Sequence, residues 1–206
     1  MKNKNNRAIN LPRIHSMYKT NYKIPDFKGN KYTTGCIAVV GQDAGITTSS
    51  KVNSVLMLND SNSRLYRYVS NKITGCINRK IDEIVAFNLI KYNFTTSIKE
   101  IAHLEGYNFY ELFNVFAHES FSDFLSKIDE YKPKCIITLG KPTFQFLCKK
   151  IDKNLEFKEC FASKIEMSLN KHHMTWMPCV HMNTYNIYRR VYGKQDKLLE
   201  SLSKDL

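Results

Sequence analysis

Three short stretches of the sequence carry side chains suited to hydrolytic chemistry. In IAVVGQDAGITTSS (37–50) an apolar run stops at Gly41, and an amide, Gln42, and a carboxylate, Asp43, follow at once. In EIVAFNLIKY (83–92) a single polar residue, Asn88, interrupts a second apolar run, and HMTWMPCVHMN (173–183) carries His181 near its end. A carboxylate at the position of Asp43 attracts a proton or a developing cation, so it serves as a base or a water-positioning group; it equally suits the N-cap of a following helix. Asn88 offers one acceptor and two donors in a plane, the pattern that reads an amide–imide edge such as a pyrimidine's, or it ties two loops together. His181 donates to a developing oxyanion or packs as an ordinary histidine. Thr47, Thr48, Ser49 and Ser50 form a polar loop whose hydroxyls and N–H groups take backbone phosphates as readily as lysine does. Spacing alone leaves each pair of roles open. Gly41-x-x-x-Gly45 lacks the length and the Lys-Ser/Thr of a P-loop, which disfavours an ATP or GTP site.

These residues need strands behind them. CIAVVG (36–41), EIVAFNLIKY and KCIITLG (134–140) read as strands buried on both faces, because their apolar residues are continuous rather than alternating. HMTWMPCVHMN supplies a fourth. Between the second and third lies a helical tract, 95–131, broken near Gly106, in which Phe121, Phe124, Leu125 and Ile128 fall at helical spacing and pack as core. Pro142 marks the start of a helix after the third strand, a last helix runs from about Thr184, and LNDSNSRLYRY reads as a polar loop. Strands alternating with helices predict an α/β fold with a parallel sheet. In such sheets ligands bind beyond the carboxyl ends of the strands. Those ends carry Gln42-Asp43, Asn88, Gly140-Lys141 and His181-Met182-Asn183, all on one rim.

Composition narrows the partner. The chain has 206 residues and a formal net charge of +12, with pI near 9.4, a balance that favours a polyanion, nucleic acid first and an anionic membrane surface second. The first 34 residues carry eight Lys/Arg and one acid, and read as a basic N-terminal arm or a loosely packed lead-in; residues 35–206 form the domain. No stretch approaches a membrane span, and no apolar segment of a signal peptide follows the basic start, so the chain is expected to be cytoplasmic. Six scattered cysteines without a CxxC pair indicate reduced thiols, Cys36, Cys135 and Cys179 in the core, and neither disulfides nor a metal site.

GQDAG (41–45), AFNLIKY (86–92), CIITLGKPTFQFL (135–147) and PCVHMN (178–183) together resemble, in order and spacing, the four motifs of the uracil-DNA glycosylase superfamily. The resemblance covers residues 35–195. It implies a three-layer α/β/α fold around a central four-stranded parallel sheet, and a monofunctional enzyme that hydrolyses the N-glycosidic bond of uracil or a related damaged pyrimidine in DNA. It implies that Asp43 stabilises the cationic sugar and orients water, that His181 hydrogen-bonds the leaving base, and that Asn88 and Gln42 face the base. Thr47, Thr48, Ser49, Lys141, Arg189 and Arg190 would then meet phosphates, and Tyr185, just after the motif histidine, would wedge into the gap left by the flipped base. No cofactor is required, and a monomer acting on single- or double-stranded DNA is expected. The chain departs from the family's best-known form at Ala44-Gly45, which stand for Pro-Tyr; glycine in place of that tyrosine implies tolerance at the base's 5-position. Met182 replaces a proline, no stacking aromatic aligns, and the cysteines of the iron–sulfur branch are missing. A nucleic-acid-binding protein on the same scaffold without the chemistry is the alternative. A small-nucleotide hydrolase is more distant, since +12 exceeds what a mononucleotide site needs.

Overall fold

The computed structural model describes residues 8–43, 55–161, 163–182 and 189–203, except the side chains of 189–194 and 202. Its centre is a six-stranded, mostly parallel sheet. The strands are β1 (Phe27–Lys28), β2 (Ile37–Gly41), β3 (Ile84–Asn88), β4 (Cys135–Leu139), β5 (Ile165–Leu169) and β6 (His172–Cys179), in the order β1-β3-β2-β4-β6-β5. β2, β3, β4 and β6 run parallel. These are the four strands expected from the apolar runs; β2, β3 and β4 are buried throughout their length.

The sheet is wider than the four strands expected. β1 and β5 add an antiparallel edge at either side, against β3 and β6. β5 alternates buried and exposed residues, as an edge strand with one wet face does. Its hairpin to β6 turns at Asn170 and Lys171, both at positive φ (47° and 70°), the backbone that a two-residue turn between twisted strands requires.

Helices cover both faces. One face packs α1 (Leu11–Tyr18), α3 (Ile98–Glu105), α4 (Phe109–Tyr131), α5 (Lys141–Lys150) and α6 (Phe157–Cys160) on Ala38, Val40, Val85, Phe87, Ile136 and Trp176. The other packs α2 (Arg64–Tyr68), the π-helical turn Val69–Thr74 and α7 (Arg189–Leu202) on Ile37, Val39, Ala86, Ile137 and Cys179. Neighbouring residues of β2 therefore serve opposite cores, which is why its apolar run is unbroken. The break at Gly106 is real: its φ of 73° ends α3 in the left-handed region, and the Asn108 side chain accepts N–H bonds from Tyr110 and Glu111 to start α4.

Two segments differ from expectation. The stretch read as a polar loop contains α2, because the Ser63 hydroxyl accepts the Tyr66 N–H at 2.9 Å and caps it. The basic lead-in is packed onto the domain from residue 8 onward: Asn10 caps α1 through the Arg13 N–H, Ile14 is fully buried, and Lys19 bridges to Phe94. All six cysteines are free, with Cys36, Cys135, Cys148 and Cys179 buried. Among the described residues, no helix is long and apolar enough to cross a membrane.

Candidate functional site

The register of the sheet builds the rim. Gly41 pairs with Asn88, and Leu139 with Cys179, so the strands finish level. Gln42, Asn88, Gly140 and His181 all leave at that edge. Two glycines let the side chains close in. A Cβ at Gly41 would lie 2.3 Å from Asn88 Oδ1 and 3.0 Å from Leu56 Cδ2. A Cβ at Gly140, where φ is +98°, would lie 2.1 Å from Gln42 Nε2 and 3.4 Å from His181 Cβ. The structure thus brings Gln42 and His181 together over Gly140, and Asn88 over Gly41. Gly41→Ala is expected to push Asn88 aside and destabilise the fold by about 1–3 kcal/mol, the usual cost of overpacking. Thermal unfolding of the single and double variants checks this: Asn88→Ala in the Gly41→Ala background should recover much of the loss.

Asp43 follows Gln42 directly. Its carboxylate accepts the backbone N–H of Ile98, the first residue of α3, and its own N–H; burial outweighs both and pushes its pKa up from 3.8 to about 6. At neutral pH the group is ionised but, among the described residues, held by few partners, so a cation developing nearby would be strongly favoured. His181 is half-buried, and burial pushes its pKa below the ordinary 6.5. Its imidazole is therefore neutral at pH 7 and able to donate one N–H without bringing a charge.

Asn88 is 6% exposed, and its Oδ1 is buried without a hydrogen-bond partner among the described residues. Leaving such an atom unpaired costs about 1–3 kcal/mol, a cost that a ligand donor would offset. The Gln42 amide donates to the Leu139 carbonyl over a long, weak 3.4 Å. Lys141 is exposed at the first position of α5. Arg189 and Arg190 open α7. Gly45, Thr47, Thr48, Ser49 and Tyr185 lie outside the described residues. Among the described residues no cluster of His, Cys, Asp or Glu is arranged to hold a metal ion.

Three contributors escaped the sequence. Leu56 lies against Gly41, and Leu56 and Met57 both hold positive φ (56° and 52°), a strained backbone of the kind that concentrates at functional sites. Tyr68 and Gln195 fix the residue before His181: the Tyr68 hydroxyl donates to the Val180 carbonyl at 2.6 Å, the Val180 N–H donates to Gln195 Oε1 at 3.0 Å, and Gln195 Nε2 donates to the Tyr68 hydroxyl at 3.3 Å. This closed, buried ring satisfies both backbone groups of Val180. Neither had a local signal: Tyr68 ends the stretch read as a polar loop, and Gln195 is one polar residue of the last helix.

No protein-family model matches the chain, and no curated protein matches it in sequence.

Proposed function

We propose that the protein is a monofunctional DNA glycosylase that hydrolyses the N-glycosidic bond of uracil or a related damaged pyrimidine. The supporting observation is the convergence of an ionised but sparsely paired carboxyl, an unsatisfied amide and a neutral imidazole on one rim, around two glycines. The resemblance of four motifs to the uracil-DNA glycosylase superfamily supports the same fold and chemistry. The bond breaks through an oxocarbenium-like sugar while the base leaves as an anion. Asp43 stabilises the cation and orients the attacking water. His181 donates to the developing charge on the base, and Asn88 reads its amide–imide edge. The base must leave the stack first, at a cost of a few kcal/mol that pocket contacts offset, and the surplus positive charge holds the phosphates. The direct test is chromatographic detection of free uracil released from a uracil-containing oligonucleotide.

Tyr68 and Gln195 act in this scheme as positioning residues for His181. Tyr68→Phe is expected to lower kcat several-fold with KM unchanged, to shift the His181 imidazole resonance, and to cost about 1–3 kcal/mol of stability because the buried Val180 carbonyl loses its donor. A change in KM alone would contradict the role.

One observation favours a second reading, a DNA-binding protein without the chemistry. Asp43 accepts the Ile98 N–H at the start of α3, the use expected of a structural cap. Binding of uracil-containing DNA with no release of base distinguishes it.

A further inference from the structure

Beside the rim lies a cavity of about 530 Å³ that the glycosylase scheme does not use, although Asn88 forms part of its wall. Neither Gln42, Asp43 nor His181 is among the described residues that line it. Its outer wall is the segment from Lys19 to Asp26, stitched to the chain after β3: the Thr20 N–H donates to the Asn93 carbonyl at 2.9 Å, and the Thr95 N–H donates to the Tyr18 carbonyl at 2.8 Å.

The charges around it are unbalanced in a specific way. Its two carboxylates are already engaged, since Lys127 Nζ sits 2.8 Å from Asp26 and 3.7 Å from Asp123. Lys19, Lys23 and Lys91 form no ion pair among the described residues. Two of them are gathered on one ring: Lys19 Nζ is 5.0 Å, and Lys91 Nζ 5.4 Å, from the centroid of Tyr92. The cation–π contact holds each ammonium, yet like charges gathered this way repel unless an anion joins them. Tyr22, 45% exposed, borders the same space, and Asn88 forms part of the wall that separates it from the rim.

We propose that this cavity is a subsite for one nucleotide unit of a single-stranded nucleic acid, its phosphate held by Lys19, Lys23 and Lys91 and its base laid against Tyr22. The volume suits a ligand of nucleotide size, and a cationic track with an aromatic platform is how single strands are held without regard to sequence. The inference rests on the glycosylase reading only in taking that strand to be DNA and the nucleotide to be a neighbour of the flipped one.

The test is fluorescence anisotropy with a labelled oligothymidylate of eight nucleotides, which contains no uracil. Tyr22→Ala should weaken binding about 5- to 100-fold, the range found when a stacking platform is removed. The double variant Lys19→Ala/Lys91→Ala should weaken it at least about 10-fold and make the salt dependence shallower by roughly 0.7 per lost phosphate contact. The charge-matched control Lys99→Ala/Lys149→Ala, outside the cavity, should change it less than about threefold. Equal losses in both lysine pairs would overturn the subsite in favour of general electrostatics. Competition by thymidine monophosphate at the oligonucleotide's own affinity would overturn the strand in favour of a free mononucleotide. Because the probe offers nothing to excise, a binding defect without any glycosylase activity sinks the enzyme and spares the subsite. Excision with unaltered binding does the reverse.

Discussion

Asp43→Asn is expected to reduce base excision by about 10²-fold or more, the scale seen when a charge-stabilising group is removed from an active site, while DNA affinity stays within a few-fold. The carboxylate's charge is needed only as the sugar becomes cationic, so binding barely registers its loss. The same substitution should stabilise the fold. Burial raises the native pKa of Asp43 from 3.8 to about 6, so the native state binds a proton more tightly than the unfolded chain. The stability contributed by the protonated form is fully present below about 3.8 and is lost as pH rises through about 6. At pH 7 the parent therefore carries a penalty that asparagine does not. Thermal melts at pH 7 should show the variant higher by a few degrees, at about 2–4 °C per kcal/mol for a chain of this size, and by less at pH 4.5. In the parent the excision rate should fall as pH drops through about 6 and the carboxyl takes up its proton. A variant that is both less active and less stable would make Asp43 a structural cap for α3.

His181→Ala should lower excision of uracil by about 10²–10³-fold, comparable to the loss of one oxyanion donor. The neutral imidazole, kept so by burial, offsets charge on the departing base. A base that leaves more easily needs less of that help, so the loss should shrink for a uracil bearing an electron-withdrawing 5-substituent. Single-turnover rates on the two substrates measure the difference. A uniform loss would place the damage in the end of β6 rather than in the chemistry.

The parts of the fold that show in the sequence are those with a single dominant cause. β2, β3 and β4 sit between two layers of helix, and burial on both faces writes an unbroken apolar run. The rim positions were readable for the same reason, since Gln42 and Asp43 stand where one run stops and Asn88 is the polar residue that interrupts the next. β5 was missed because half of its residues face water and its turn is Asn170-Lys171, without the glycine that usually announces a hairpin. α2 was missed because the cap Ser63 is surrounded by Asn and Asp that equally mark a loop. α1 hides in a lysine-rich stretch, where Ile14 is its one fully buried residue. The ring of Tyr68, Val180 and Gln195 joins positions 112 and 15 residues apart, and no local pattern encodes such a pairing. The cavity beside Asn88 escaped for a related reason: its wall comes from a segment that reads as a basic arm or loose lead-in, and the backbone bonds Thr20–Asn93 and Thr95–Tyr18 that fix it join residues more than 70 apart.

The measurement that bears most directly on the central claim uses an end-labelled oligonucleotide holding one uracil, single-stranded and in duplex, incubated at pH 7.5 with the parent protein and with Asp43→Asn purified identically. After alkali, the parent should yield strand scission at the uracil, with none before alkali because a monofunctional enzyme leaves the abasic strand intact, and Asp43→Asn should yield almost none. An absence of alkali-labile sites with the parent on both substrates, or equal scission by the two proteins, would contradict the account.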